Sequence, residues 1–212
     1  MGAGLRHQCV YSGVDYEMVE YEQGDAPDFS RQTWMDVKFT LGMDFPNLPY
    51  LQDGDLKISE TWAIHKYLAD KYKPELLGKD AAHRAHVNML AGVLTDIKMG
   101  TTGPCYAGAD KQPILDKMNA LLPNIVKYLG DKKFLAGDEP TYIDFYFSEN
   151  INLMEFVAGK DKFAQDFPTL AAYNANMKSL PKLKEYWEDP NCIEKQRPFN
   201  NKVAGINGTV TD

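Results

Sequence analysis

In the first third of the chain, apolar residues occur in short runs of mixed spacing, whereas in the remainder they recur at a regular spacing. Residues 5–12 have the pattern of a short helix, and the alternation over residues 16–21 predicts a strand. Residues 24–43 are predicted to form a loop containing one helical turn. Two short strands are expected over residues 48–58, followed by a helix over residues 60–72. This mixture predicts a small α/β unit.

Beyond residue 73 the spacing is that of successive amphipathic helices. Pro74 and Gly78 mark a linker, and Asp80 is placed to cap the helix that follows. Thr141 and Asp144 have the spacing of a capping box, with Asp in place of Glu, before a helix predicted to be buried. Apolar residues three and four apart predict four inner helix faces: Val87, Leu90, Leu94, Ile97; Ile114, Met118, Leu121, Leu122, Ile125, Leu129; Phe145, Phe147, Ile151, Leu153, Met154; Leu170, Tyr173, Met177.

The segment from residue 44 to residue 64 is the most informative about function. Pro49 cannot donate a backbone hydrogen bond, so it belongs where the chain enters a strand, and the Leu48-Pro49 bond is a candidate cis peptide. Asp53-Gly54 predicts a hairpin turn, and Ser59 is a suitable N-cap for the next helix. A strand edge beside a helix N-terminus can hold the main chain and the carboxylate of a small peptide.

Composition and charge exclude several classes of function. The 212-residue chain has a net charge of −7 and no basic run, which argues against a nucleic-acid partner. No apolar stretch approaches the roughly 20 residues of a membrane span, and no signal peptide is recognised, so we expect a cytoplasmic protein without a membrane partner. Cys9, Cys105 and Cys192 are widely spaced, as is typical of reduced thiols. Because no C-x-x-C occurs, we expect no zinc or other metal.

The residues from Gly24 to Gly54 resemble the mu class of the glutathione transferases. The similarity is carried by Gly24-Asp25-Ala26-Pro27-Asp28-Phe29, by Arg31, Trp34, Lys38 and Phe39, and by Phe45-Pro46-Asn47-Leu48-Pro49-Tyr50-Leu51. A looser resemblance runs from about Gly4 to the last quarter of the chain. It implies a thioredoxin-like α/β domain over residues 1–73, a linker over residues 74–79 and an all-α domain over residues 80–212, with an irregular tail from about Gln196.

The resemblance also implies a glutathione site in the first domain. Trp34 would offer its indole N–H, Lys38 an ammonium for the glycyl carboxylate, and Leu48 its backbone for the cysteinyl unit. The other residues implied in glutathione binding are Arg31, Asn47, Pro49, Glu60 and Thr61. If the resemblance is set aside, Arg31 and Lys38 are interpreted as solvated loop residues. Trp34 is then interpreted as a core residue, and Pro49 as a proline that simply begins a strand.

Glu60-Thr61 differs from the Gln-Ser of the mu class, but the chemistry is retained. Thr61 keeps a hydroxyl and a helix N-terminal N–H for the γ-glutamyl carboxylate, which the helix dipole favours. Glu60 can accept hydrogen bonds from the neighbouring ammonium. Trp62 is larger than the residue usual in the family, and its structural explanation is packing against the linker.

Three further residues are assigned by the resemblance alone. Asp96 matches an acidic residue that reaches glutathione in the partner subunit, and Tyr106 matches a tyrosine whose hydroxyl faces the electrophile. Phe45 matches an aromatic side chain that inserts into the neighbouring subunit of a homodimer, and its alternative is an ordinary core position. Thr141 and Asp144 are expected to be structural only.

The tyrosine that hydrogen-bonds the glutathione thiol in this family has no counterpart after Met1. Aligning Arg6, Tyr11 and Tyr16 with the family places that tyrosine, and the strand that carries it, before the first residue. We therefore expect the authentic protein to begin upstream, and expect the 212-residue chain to bind glutathione but turn it over poorly. A thiol near its free pKa of about 8.5 is mostly protonated at neutral pH.

The resemblance predicts a glutathione transferase that conjugates the glutathione thiolate to small hydrophobic electrophiles in detoxification. Glutathione would be a co-substrate, and the helical domain with Tyr106 and the tail would form the apolar half of the site. One alternative is a non-catalytic glutathione-binding or structural relative, which the missing tyrosine favours. Another is a sigma-type glutathione-dependent isomerase, against which the loop at residues 24–54 argues.

Overall fold

The computed structural model of the chain describes residues 2–196 and residue 199. Apart from Gln196 and Phe199, the predicted irregular tail lies outside this part. Short 3₁₀ turns occupy Pro74–Leu77 and Gly103–Ala107. The other elements are α1 (Ala3–Ser12), α2 (Gln32–Lys38), β1 (Tyr50–Asp53), β2 (Leu56–Ser59), α3 (Thr61–Tyr72), α4 (Ala81–Gly100), α5 (Lys111–Leu129), α6 (Tyr142–Ala158), α7 (Lys160–Asp166), α8 (Pro168–Lys178), α9 (Leu183–Glu188) and α10 (Ile193–Gln196).

The first part of the chain packs α1 and α3 against a β-hairpin. β1 and β2 are antiparallel, with Leu51 opposite Ile58, and Gly54 adopts a φ of +60° in the turn, which glycine accepts without strain. This confirms the predicted hairpin. The pair of apolar strand residues packs onto a small core from the two helices, formed by Leu5, Cys9, Ile64 and Leu68.

The strand predicted over residues 16–21 is wrong. Residues 14–25 have no regular secondary structure, and in the described part of the chain β1 and β2 pair only with each other. Tyr16, Met18 and Val19 are more than a third exposed. Alternation indicates which side chains could be buried, but a strand also needs a neighbouring strand with which to exchange backbone hydrogen bonds, and among the described residues none pairs with this segment.

The helices of the second part surround α6, which supplies the centre of the large core. Thirteen of its residues are buried, including Phe145, Phe147, Ile151, Leu153 and Met154. The inner faces predicted for α4, α5 and α8 are confirmed, except that Leu121 is only half-buried. Asp80 accepts a hydrogen bond from the His83 N–H at 2.8 Å, as expected of an N-cap. Among the described residues, no helix has the length and apolar character needed to span a membrane.

The start of α6 is fixed by Asp144, as the capping box predicted. This buried carboxylate accepts hydrogen bonds from the Thr141 N–H at 2.7 Å, the Leu135 N–H at 2.9 Å and the Tyr173 hydroxyl at 2.7 Å. Burial raises the pKa of Asp144, against the lowering effect of these donors. One side chain therefore ties the entrance of α6 to the preceding loop and to α8.

The two parts of the chain meet where α1 and α3 pack against α4 and α6. Gly4 is needed at this contact, because an added Cβ would lie 2.9 Å from the Phe145 carbonyl oxygen. Its N–H donates to Glu149 Oε2 at 3.2 Å, and Glu149 Oε1 lies 3.3 Å from Lys98 Nζ, with both side chains buried. Trp62 Nε1 donates to Thr95 Oγ1 at 2.9 Å. The tryptophan thus packs against the helical domain.

Two buried histidines lie on the inner sides of α1 and α3. The His65 ring contacts the Gln8 Oε1 atom at 2.5 Å, and the Gln8 side-chain amide donates to the His65 carbonyl oxygen at 2.9 Å. Burial lowers the pKa of His65 to about 3 and that of His7 to about 4. Both imidazoles are therefore neutral at pH 7.

These shifts predict that the fold loses stability in mild acid. Because the folded pKa values lie below the unfolded value of about 6.5, the unfolded chain binds protons first as the pH falls from about 7 to about 5. Each histidine should contribute up to about 1.4 kcal/mol per pH unit to the loss below about pH 6. Urea unfolding of His65→Gln should show a smaller pH slope than the wild type. His86→Gln, at an exposed site on α4, is the control; an unchanged slope in His65→Gln would refute this explanation.

Candidate functional site

The loop before β1 and the start of α3 lie side by side. The Leu48-Pro49 peptide is cis, as the sequence suggested, and Ala26-Pro27 is also cis. The Leu48 N–H donates to the Asn47 side-chain oxygen at 3.0 Å, so its donor is occupied locally. The loop is joined to the end of β2 because the Ser59 hydroxyl donates to the Phe45 carbonyl oxygen at 2.6 Å.

The N-terminus of α3 has no side-chain cap. Ser59 was expected to cap it, but its hydroxyl is engaged by Phe45, and Glu60 occupies the N-cap position without a side-chain hydrogen bond. Glu60 has a φ of +71°, a left-handed conformation that is costly for a residue with a Cβ. The first N–H groups of the helix, at and after Thr61, therefore have no side-chain acceptor from the N-cap. An uncapped helix N-terminus is suited to an anion.

Trp34 lies on α2 in an aromatic group with Tyr21 and Tyr50. Its ring is 5.1 Å from that of Tyr21 and stacks on that of Tyr50 at 6.2 Å. The two tyrosine hydroxyls are 2.8 Å apart, and burial together with this hydrogen bond raises the pKa of Tyr50 to about 12. Arg31 is the exposed N-cap of the same helix, and Lys38 ends it with its ammonium 5.3 Å from the Phe39 ring centre.

Tyr106 lies in the 3₁₀ turn after α4 and packs edge-on against Phe199, with ring centres 5.4 Å apart. Phe199 is fully buried and also contacts Phe156 of α6 at 6.0 Å. Burial raises the pKa of Tyr106 well above its usual value, so the hydroxyl keeps its proton at all ordinary pH values. An aromatic wall with one protonated hydroxyl is suited to an apolar ligand that carries a hydrogen-bond acceptor.

The two residues assigned to a dimer are both on the surface. Phe45 is 81% exposed, which excludes the alternative that it is a core residue of its own chain. Asp96 is exposed on α4. The same helix exposes Met89, Val93 and Met99.

A network around Glu194 was not anticipated from the sequence. Arg6 Nε donates to Glu194 Oε1 at 2.9 Å, and the Tyr186 hydroxyl donates to Oε2 at 2.6 Å. Burial would raise the pKa of Glu194, but the charge of Arg6 and the hydrogen bond from Tyr186 hold it below its usual range. This network joins α10 to α1 across most of the sequence. No local pattern could reveal it, since an acid in a short polar stretch is normally solvated.

Comparison with known proteins identifies the family. The models for the glutathione S-transferase N-terminal and C-terminal domains match residues 3–70 and 98–190. A glutathione S-transferase of Dermatophagoides pteronyssinus is 36% identical over 210 residues, covering 97% of this chain and 91% of the relative. Glutathione S-transferase Mu 5 of Rattus norvegicus is 31% identical over 203 residues, covering 94% and 88%.

Solved structures agree with these relatives. The glutathione S-transferase Blo t 8 superposes with a TM-score of 0.71 at 27% identity, covering 89% of this chain and 88% of the other. A Caenorhabditis elegans glutathione S-transferase gives 0.72 at 26% identity, covering 89% and 91%. The fold is therefore a thioredoxin-like domain joined to a helical domain. The chain belongs to the glutathione S-transferase family, and its relatives include members of the mu class.

The Glu194 network predicts a non-additive response to mutation. Glu194→Ala should lower the free energy of unfolding by about 2 kcal/mol, because the half-buried Arg6 is left without its counter-charge. Arg6→Met combined with Glu194→Leu should be less destabilising than Glu194→Ala, since no unpaired charge remains. Chemical denaturation measures both variants. Glu188→Ala, in an exposed pair with Lys184, is the control and should change stability by less than about 1 kcal/mol. A double variant less stable than Glu194→Ala would contradict the assignment.

Proposed function

We propose that this chain is a glutathione transferase that conjugates the glutathione thiolate to small hydrophobic electrophiles. The reaction class is inferred from membership of the glutathione S-transferase family. The observation that supports the site is the N-terminus of α3, which has no side-chain cap and lies beside the cis-proline loop. Helix N–H groups without a side-chain acceptor are therefore placed next to the main chain of Leu48 and Pro49. We place the protein in the cytoplasm and assign it a role in detoxification.

Glutathione would bind along the loop and α3. Thr61 and the first N–H groups of the helix would hold the γ-glutamyl carboxylate, and Glu60 the neighbouring ammonium. The backbone of Leu48 would pair with the cysteinyl unit in place of the Asn47 side chain, with Pro49 keeping the strand entrance open. Side chains from α2 would complete the site: the Trp34 indole N–H, the Lys38 ammonium for the glycyl carboxylate, and Arg31.

The reaction would form a bond between the glutathione sulfur and the electrophilic carbon. The thiol first loses its proton to solvent, the sulfur attacks as the resulting thiolate, and the leaving group departs with the electron pair of the bond that breaks. The protonated hydroxyl of Tyr106 would donate a hydrogen bond to the electrophile as charge develops there. Phe199 and Phe156 would supply the apolar wall that receives the body of the electrophile.

We also propose a homodimer in which Phe45 inserts between helices of the partner. Its exposed ring and the apolar residues on the outer face of α4 support this proposal, because large exposed apolar patches commonly mark interfaces. Asp96 on the same face would then be placed to reach the glutathione bound by the other subunit.

The role of Glu60 predicts a difference between two substitutions. Glu60→Ala should weaken glutathione binding more than Glu60→Gln, because Gln keeps an acceptor for the ammonium whereas Ala leaves it unpaired. The expected loss for Ala is roughly tenfold in Kd by calorimetry. Asp131→Ala, which removes an exposed loop carboxylate, is the control for net charge. Equal affinities for the two Glu60 variants would show that Glu60 is only a surface residue at a helix start.

The role of Phe45 predicts a change in molecular mass. Sedimentation of the wild type at micromolar concentration should give a dimer, and Phe45→Ser should shift the mass towards the monomer, since the anchor of the interface is lost. Val19→Ser, also at a strongly exposed apolar residue, is the control and should remain dimeric. A monomeric wild type, or a Phe45→Ser variant of unchanged mass, would refute the proposal.

A further inference from the structure

A cavity of about 310 Å³ lies between the start of α1, the second half of α6, and α8 to α10. This volume is within the range of small-molecule sites. None of the residues proposed to hold glutathione lines it, and Phe156 is the one residue that it shares with the proposed electrophile wall. Its walls are formed by Ala3, Glu149, Asn152, Leu153, Glu155, Phe156, Gly159, Lys160, Lys178, Trp187, Glu194 and Lys195.

The charges facing this cavity do not balance. Its lining has three lysines and three glutamates, but two of the glutamates are paired with cations that do not line the cavity. Glu149 is paired with Lys98 at 3.3 Å, and Glu194 with Arg6. The three lysines then face Glu155 alone, so the cavity is electropositive in a chain whose net charge is −7.

Lys178 is the cation most enclosed by the cavity wall. Its Nζ lies 3.5 Å from Glu155 Oε2 and 4.6 Å from the centre of the Trp187 ring. Burial lowers the pKa of Lys178, with Lys160 adding to the effect and Glu155 opposing it. The ammonium is therefore incompletely compensated, and a bound anion would stabilise its charged form.

The other lining residues indicate that a ligand would also have an apolar ring and an oxygen acceptor. Leu153, Phe156 and Trp187 provide an apolar surface suited to a ring. The Asn152 side-chain oxygen accepts from Asn174 at 2.8 Å, but its Nδ2 is buried and has no acceptor among residues 2–196 and 199. A buried amide donor without a partner is costly, so a ligand oxygen placed there would be favourable.

We propose that this cavity is a second binding site, for a small aromatic or alicyclic carboxylate. The carboxylate lies against Lys178 and accepts from Asn152 Nδ2, while the ring rests between Phe156 and Trp187. The proposal does not depend on the glutathione site, and it goes beyond the transferase reaction.

Calorimetry with 2-naphthoate tests this site, with 2-naphthylmethanol as the uncharged counterpart. The wild type should bind the carboxylate at least tenfold more tightly than the alcohol, because only the carboxylate forms the charge-assisted contact. Saturating glutathione should leave the naphthoate Kd unchanged. Naphthoate displaced competitively by glutathione, or bound no better than the alcohol, would overturn the proposal whatever the outcome at the glutathione site.

Two variants locate the binding. Lys178→Met keeps the apolar stem and should weaken naphthoate about tenfold without affecting the alcohol. Lys184→Met, an exposed lysine on α9, is the matched control and should bind as the wild type does. If Lys178→Met does not fold, Asn152→Asp serves instead, because a carboxylate at that position repels the ligand. Naphthoate affinity unchanged in a folded variant of either kind would contradict the assignment.

Discussion

Glu149 is the constraint on which the arrangement of the two domains depends. It lies at the middle of the central helix α6, where its carboxylate contacts Lys98 of α4 and the Gly4 N–H of α1. Burial alone would raise the pKa of Glu149, but Lys98 and the backbone donor hold it below its usual range. A buried carboxylate without these partners would be strongly destabilising, so α1, α4 and α6 must meet in this one arrangement.

Both parts of the proposed transferase site follow from that arrangement. Fixing α1 against α6 places α3, which packs on α1, with its uncapped N-terminus beside the loop that ends at Pro49. Fixing α4 places the turn that carries Tyr106 near α6, where Phe199 contacts both Tyr106 and Phe156. The polar site and the apolar site thus come from different domains. The relation between them is set by a buried ion pair that takes no part in the chemistry.

Local chemistry explains which features the sequence could predict. The hairpin, the capping box at Thr141 and the apolar faces of α4 and α5 each depend on residues close in the chain. The prediction of a strand at residues 16–21 was wrong because strand pairing depends on a second segment of the chain. Ser59 failed as a cap because its hydroxyl bonds to the Phe45 carbonyl. Glu149 and Glu194 form ion pairs with residues distant in sequence. The spacing of residues along the chain does not indicate such pairs, so the sequence could not predict them.

Hydrogen exchange of the backbone amides, with and without saturating glutathione, tests the central claim most directly. If glutathione binds where the uncapped helix meets the cis-proline loop, the amides of Leu48 and of the first turn of α3 should exchange more slowly in its presence, as should those of α2. The lining of the cavity at α8 to α10 should be unaffected. Protection confined to that cavity, or no protection at residues 48–64, would contradict the account.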